Sequence, residues 1–381
     1  MEQMPTSTVP SGWPLPLMLD EAWLRAHRSF VHTLEPAGLW PDTASHQAFM
    51  SAQRGIGNRL ESTLLLDILG ASDYACLNSE SIFGSSNRRF RRRLPFVLAF
   101  GYELGQGFCH LLAAEGGDPG SDVAEACAIF NLGVSVFDLI SDTDPRLFTQ
   151  VTTVFDAHTL NRTLHDPAQA HGLLDVADGM PATEVRVLLK LITAFFLRFQ
   201  ALGNAAAPQM EQIWRRLDQS LLAAHGAELQ STSNGNPTDN DWGTISEAKS
   251  TLPFAIIGDL AQLSTRPSAA TARSFQDLVG HVQTLFWLTD DTADIVLDFQ
   301  DGALNLLLAK CGAGVDRKRD PARDYGVMAH LLASNLIEET VDLIREHLQA
   351  AEQLLSTESS CPETNTRLRT FLRSYIRDWI E

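Results

Sequence analysis

The chain has 381 residues, 44% of them hydrophobic, enough to bury a large core in one domain or two smaller ones. Lysine and arginine number 29 against 47 aspartates and glutamates, a formal charge of −18. That balance excludes nucleic acid and an anionic membrane as general partners, because nothing broad neutralises phosphates, and it makes any phosphate site local.

The N-terminal MEQMPTSTVPSGWPLPLMLDEAW has no basic region followed by an apolar one, and no later segment reaches about 18 uninterrupted apolar residues, so neither a signal peptide nor an integral membrane segment is expected. Residues 1–18 read as a flexible Pro-rich arm, and 19–381 as one α-helical domain. Helical periodicity recurs along the chain and strand alternation almost never does, which makes the fold class all-α. The pattern predicts helices over 20–34, 45–69, 87–112, 122–142, 147–161, 183–202, 207–228, 243–264, 270–299, 302–311, 324–356 and 363–380. Breaker-rich stretches at 114–122 and 230–243 separate some of them, and neither is long enough to be a domain linker. Five scattered cysteines, Cys76, Cys109, Cys127, Cys311 and Cys361, form no CxxC pair, so a disulfide framework and a zinc site are not suggested and a reducing cytoplasm fits.

Two of the predicted helices carry carboxylates in otherwise apolar surroundings. In LFWLTDDTADIVLDFQDGALN (285–305), Asp290, Asp294 and Asp298 stand at i, i+4 and i+8, which is one stripe of a continuous helix with about 6 Å of rise between neighbours. Such carboxylates repel one another, and an apolar setting makes ionisation costlier. Hard oxygen donors without His or Cys favour Mg²⁺ completed by phosphate oxygens, while the alternative is a solvated acidic face. NLGVSVFDLISDTDP (131–145) repeats the device with Asp138 and Asp142. Inward carboxylates from two facing helices build a metal site in a bundle core, and a diphosphate would bridge its ions.

Five stretches, in order, resemble the trans-isoprenyl diphosphate synthases and the class I terpene synthases that share their fold. They are NRRFRRRLPFVLAFGYELG (87–105), GGDP (116–119), VSVFDLISD (134–142), EAKSTLPFAIIGDLA (247–261) and LFWLTDDTADI (285–295). The resemblance covers about residues 50 to 310 and implies a single-domain isoprenoid-synthase helix bundle with a central active-site cavity. Carried over by position, Asp138 and Asp142 match the outer aspartates of the first Asp-rich motif, whose second place is Leu139 here. Asp290, Asp291 and Asp294 match the second motif, with Asp298 in the last place of the terpene-synthase triad register. Lys249 matches the lysine that holds the allylic diphosphate, and Arg88 and Arg91 match the pair that holds a second diphosphate, with Asn131 beside them. A solvated basic turn is the alternative for RRFRRR.

The departures are as specific as the matches. After the first motif only Arg146 stands where an arginine-rich loop is expected, Ala303 replaces the lysine of the late Gly-Lys signature, and Trp287 replaces a glutamine. A chain-elongating synthase binds two diphosphates and a cyclase binds one, so these losses favour a Mg²⁺-dependent terpene synthase that ionises farnesyl or geranylgeranyl diphosphate. The alternatives are a prenyltransferase, by chain elongation or transfer to a non-isoprenoid acceptor, and a catalytically silent partner subunit. The resemblance further implies three Mg²⁺ ions bound with the substrate, a cytoplasmic enzyme, and a homodimer as candidate assembly. Arg373 and Tyr375 resemble an Arg-Tyr pair that caps a closed site. Phe137, Phe286 and Trp287 are candidate cavity aromatics, although Phe286 and Trp287 point different ways on a helix, so core packing competes for each. Gly133 and Val134 occupy the pocket-floor positions of the resembled family. Small residues there predict a deep pocket and a preference for the C20 substrate. His110 and His281 read as surface or satisfied core residues.

Overall fold

A computed structural model describes residues 13–77, 82, 87–113, 120–204, 211–232, 239–303, 305–312, 320–358 and 362–381, and among them every regular element is a helix. The first, α1 (Leu15–Leu34), begins inside the stretch expected to be an arm, because Met18 is fully buried and anchors that turn. Asp42 opens α2 (Thr43–Leu60) by accepting from the Ser45 amide at 2.9 Å. The single helix predicted over 45–69 instead passes through a π-helical turn, Glu61–Leu65, into α3 (Leu66–Leu77), which breaks where Gly70 adopts φ 72°.

At the centre lie α4 (Asn87–Leu112) and α5 (Ser121–Thr143). Glycine sets their spacing: a Cβ on Gly105 would stand 2.7 Å from the Cys127 sulfur, so any larger residue would push the helices apart. By length and composition α5 could cross a membrane (Ser121–Ser141, mean hydropathy 1.7), but 61% of that window is buried and it packs on α4 and on α9 (Thr183–Asn204), as a core helix does.

Between α5 and α9 the sequence predicts one helix, over 147–161; the structure has α6 (Pro145–Val154), α7 (Ala157–His165) and α8 (Pro167–Gly179). Asp144, Asp156 and Asp166 explain the difference, since each carboxylate accepts from amides that open the following helix. Asp144 and Asp166 are also followed by proline at the first helical position, and Asp320 with Pro321 opens α15 (Pro321–Ala333) the same way. The predicted 324–356 helix breaks at Ser334, whose extended backbone separates α15 from α16 (Leu336–Glu358).

Helix α10 (Glu211–Thr232) packs on α11 (Asp239–Thr265), which also touches α4, α5 and α12 (Ala269–Ala293). The remaining elements are α13 (Ile295–Asp301), α14 (Leu306–Lys310) and α17 (Pro362–Ile380). A main core runs through α1 to α12, α16 and α17, with Leu98, Leu132, Phe199, Leu260 and Phe286 at its heart. A second core joins Met18 and Ala22 of α1 to Ile295, Leu307, Met328 and Leu331. Ile295 directly follows Asp294, so this second core fixes where the chain goes after the second aspartate pair.

Candidate active site

Helices α5, α11 and α12 bring the predicted residues together. The Lys249 ammonium on α11 lies 2.6 Å from the Asp138 carboxylate on α5. Burial pushes the Asp290 carboxyl on α12 well above the usual carboxylate range; the charges of Asp294, Asp291 and Asp138 push it further, and Lys249 opposes them. Asp138, Asp290 and Asp294 thus act on one another across two facing helices, with Lys249 among them.

The expected straight stripe of carboxylates is not what forms. The helix ends at Ala293, and Asp294 takes φ −93° and ψ 10° before α13 begins. Hydrogen bonding continues across this bend, with the Asp294 amide donating to Asp290 O at 2.9 Å and the Asp298 amide to Asp294 O at 2.8 Å. Beyond it, Gly302 ends α13 in the left-handed region at φ 69°.

Two of the predicted metal ligands are held elsewhere, and their assignment is corrected. Asp291, only 3% exposed, accepts from the Leu306 amide at 3.0 Å and the Ser246 hydroxyl at 3.4 Å. Burial raises its carboxyl to about 7 against those bonds. Asp298 accepts from Asn305 Nδ2 at 2.8 Å, and burial lifts it to about 9 despite that bond, with Asp290 and Asp294 adding to the rise. Both carboxylates secure the turn into α14. Asn305 completes the clamp: its Nδ2 also donates to Asp291 O at 2.6 Å, and its Oδ1 accepts from the Leu307 and Leu308 amides.

Among the described residues no three acidic, histidine or cysteine side chains converge closely enough to hold a metal together. Asp138 is drawn to Lys249, and the side chain of Asp142 lies outside the described residues, as does that of Arg88. The GGDP stretch at 116–119 lies outside them too. Asp138, Asp290 and Asp294 still supply the oxygen-only donors that a hard divalent cation takes, and at Asp290 burial and the neighbouring carboxylates outweigh the opposing Lys249 charge.

The other predicted residues separate into near and distant. Arg91 is exposed on the first turns of α4, and Arg146 is exposed at the start of α6. Asn131 is committed to α4, donating to Val97 O at 2.8 Å. A Cβ on Gly133 would meet nothing within 4 Å, so space lies beside it, and Val134 and Phe137 are half-buried on the same face. Phe286 is core, 1% exposed and stacked on Phe254 at 5.1 Å, so it is withdrawn as a cavity aromatic. Trp287 donates to Ser246 at 3.1 Å. Arg373 is paired with Glu352 at 2.5 Å and donates to Gly38 O at 3.0 Å, and buried Tyr375 donates to Gln53 at 3.2 Å. That pair fastens α17 to its neighbours and does not cap a site, because residues two apart on a helix point about 200° apart.

Ser246 and Asn305 are site residues that the sequence reading missed. Asn305 carried a signal, an N-cap residue directly before the apolar run LLLAK. Ser246 carried none.

No family model matches this chain, and no curated protein matches it. Solved structures do. A decaprenyl diphosphate synthase from Rhodobacter capsulatus is similar over 88% of this chain and 99% of its own, at TM-score 0.50 and 13% identity. The chain has the class I isoprenoid synthase fold. A polyprenyl synthase from Caulobacter crescentus CB15, crystallised with calcium and isoprenyl diphosphate, is similar at TM-score 0.47 and 14% identity, over 89% of this chain and 97% of its own. A geranylgeranyl pyrophosphate synthase from Bacteroides thetaiotaomicron follows at TM-score 0.43 and 14% identity, over 84% and 99%. Within this isoprenoid synthase fold, the Asp138, Lys249 and Asp290 side chains come from three adjacent helices of the bundle.

Proposed function

We propose that the protein is a divalent-metal-dependent enzyme that ionises an allylic prenyl diphosphate and transfers the prenyl group, as a prenyltransferase. One observation carries this reading: Asp138, Asp290 and Asp294 stand together with Lys249, so among the described residues carboxylates outnumber cations there. A bare diphosphate would be repelled there, and binds only with cations that both partners attract. The likeness to the decaprenyl diphosphate synthase supports prenyl transfer over cyclisation.

Asp138, Asp290 and Asp294 would hold Mg²⁺, with Asp142 as a further ligand by sequence. When bound, the metal supplies the Lewis acidity that stabilises departing diphosphate. Lys249, on the facing helix, is placed to donate to diphosphate oxygens once the metal competes for Asp138. The prenyl tail runs along the α5 face of Gly133, Val134 and Phe137, where apolar walls shield the allylic cation from water. Three ions bound with the substrate, and a homodimeric assembly, belong to this proposal.

A terpene cyclase is the second reading. Its support is Ala303 in place of a lysine, the single Arg146 after the first motif, and Asn131 already bound to Val97. Incubation with geranyl, farnesyl or geranylgeranyl diphosphate and Mg²⁺, with and without isopentenyl diphosphate, decides by mass spectrometry. A longer prenyl diphosphate formed only with isopentenyl diphosphate is the expected result. A hydrocarbon from one substrate alone supports the cyclase, and absence of diphosphate release from all three refutes both and leaves the silent subunit.

A further inference from the structure

A chain of polar side chains ties α11 to α12 beside the candidate site. Trp287 of α12 donates its indole N–H to Ser246 Oγ of α11 at 3.1 Å, and the Ser246 hydroxyl reaches Asp291 Oδ2 of α12 at 3.4 Å. The same oxygen accepts from the Leu306 amide at 3.0 Å, so the chain continues into α14. Ser246 and Asp291 are each 3% exposed, and Trp287 is half-buried. An indole is a donor only, so Ser246 accepts from Trp287 and directs its own hydrogen to Asp291. A glutamine at position 287 would leave that direction open, because an amide can also accept.

Spacing connects this chain to the site. Ser246 precedes Lys249 by three residues and Trp287 precedes Asp290 by three, so on each helix the tied residue and the site residue share a face. Asp290 and Asp291 are consecutive and leave α12 about 100° apart. With Asp291 held to α11 and α14, Asp290 is the one that meets the charges of Asp138 and Lys249.

We infer that Trp287 and Ser246 are positioning residues, which fix Lys249 of α11 against Asp290 of α12 by binding Asp291 into the junction of α11, α12 and α14. This deepens the metal and diphosphate reading above and rests on it. Neither residue acts on the reacting atoms. Without the Trp287 N–H, the Ser246 hydroxyl can turn its hydrogen away from Asp291, and the two helices lose the bond that sets one against the other. Lys249 and Asp290 then no longer meet a diphosphate in one prepared arrangement.

The test is calorimetry of inorganic diphosphate binding with Mg²⁺. Trp287→Phe keeps a ring without the N–H, and Ser246→Ala removes the oxygen that links the other two side chains. Each is expected to weaken binding about tenfold, as loss of groups that orient ligands does. The double variant should lose no more than either single one, because both act through one chain. With geranylgeranyl and isopentenyl diphosphates, KM for the former should rise by the same factor while kcat stays within about threefold. Asp73→Asn is the control for stability: it breaks the ion pairs to Arg186 and Lys190, and should melt lower yet bind diphosphate as the wild type does. Binding equal to wild type in either folded variant, losses that multiply in the double variant, a loss confined to kcat, or an equal loss in Asp73→Asn overturns the assignment and leaves the functional reading intact. Absence of diphosphate binding by the wild type takes down both. Should Trp287→Phe not fold, Ser246→Ala, the smaller change, decides alone.

Discussion

Two clusters of charge lie in this bundle, and they are built on opposite principles. Around Asp73 of α3, charges match: Arg186 and Lys190 of α9 reach its two oxygens at 2.9 and 2.8 Å, and Lys190 also reaches Asp178 of α8 at 2.9 Å. Burial alone would raise the Asp73 carboxyl, but those hydrogen bonds outweigh it and leave it below the ordinary value. At the candidate site three carboxylates face Lys249, and Asp290 is pushed well up. The first cluster is complete as folded. Among the described residues the second is short of positive charge, as the proposed metal and diphosphate site would be before it is filled.

Neutralising one carboxylate in each cluster separates the two most sharply. Asp290→Asn and Asp138→Asn should each lower turnover on the order of 10²-fold or more, comparable to loss of one group that stabilises transition-state charge. Helicity should be retained, and Asp290→Asn should not lower stability, because it relieves the repulsion that raises the Asp290 carboxyl. Thermal melts beside initial rates check both halves.

Asp73→Asn should do the reverse, leaving turnover within about twofold and costing about 2–3 kcal/mol, a buried-pair penalty discounted for the partial exposure of its cations. The pH sign follows from the lowered carboxyl. Its stabilisation is present above the unfolded carboxylate value of about 3.9 and is lost as pH falls through the lower folded value. Denaturant titrations below about pH 4 should show that loss in the wild type and a flatter profile in Asp73→Asn. Equal profiles would mean that the cluster contributes nothing.

Lys249→Ala removes the cation that the described residues place at the site and should weaken diphosphate capture by about 1.5–3 kcal/mol, read as lower kcat/KM. Asn305→Ala loses an N-cap and both clamps on the second aspartate segment, at about 1–2 kcal/mol. Its activity should fall less than that of Asp290→Asn, since Asn305 positions the segment. Gly133→Phe fills the open space on α5, so competition kinetics should turn from the C20 substrate toward shorter ones, at about 0.8 kcal/mol for each methylene left unburied.

What the sequence reveals divides along the same line. Asp138 and Asp290 stand out in the sequence as carboxylates in apolar helical stretches, Lys249 only through the resemblance of its stretch, and the structure brings the three side chains together. The bend at Asp294 is not legible, because DTADIVLD reads as continuous helix, and the forces that bend it are tertiary: Ile295 enters a second core, and Asp291 and Asp298 are captured by Leu306 and Asn305. Arg373 misled for the same reason, since nothing local reveals that Glu352 lies opposite it. Helix α8 was readable in principle, from the N-cap Asp166 followed by Pro167, but its weak apolar pattern gave the periodicity little to grip.

Calorimetry of inorganic diphosphate binding, with and without Mg²⁺, tests the charge-deficient site most directly. The account predicts binding by the wild type with Mg²⁺, none with a chelator, and none by Asp290→Asn in either condition. Diphosphate bound equally well without metal, or by Asp290→Asn as tightly as by wild type, would contradict it.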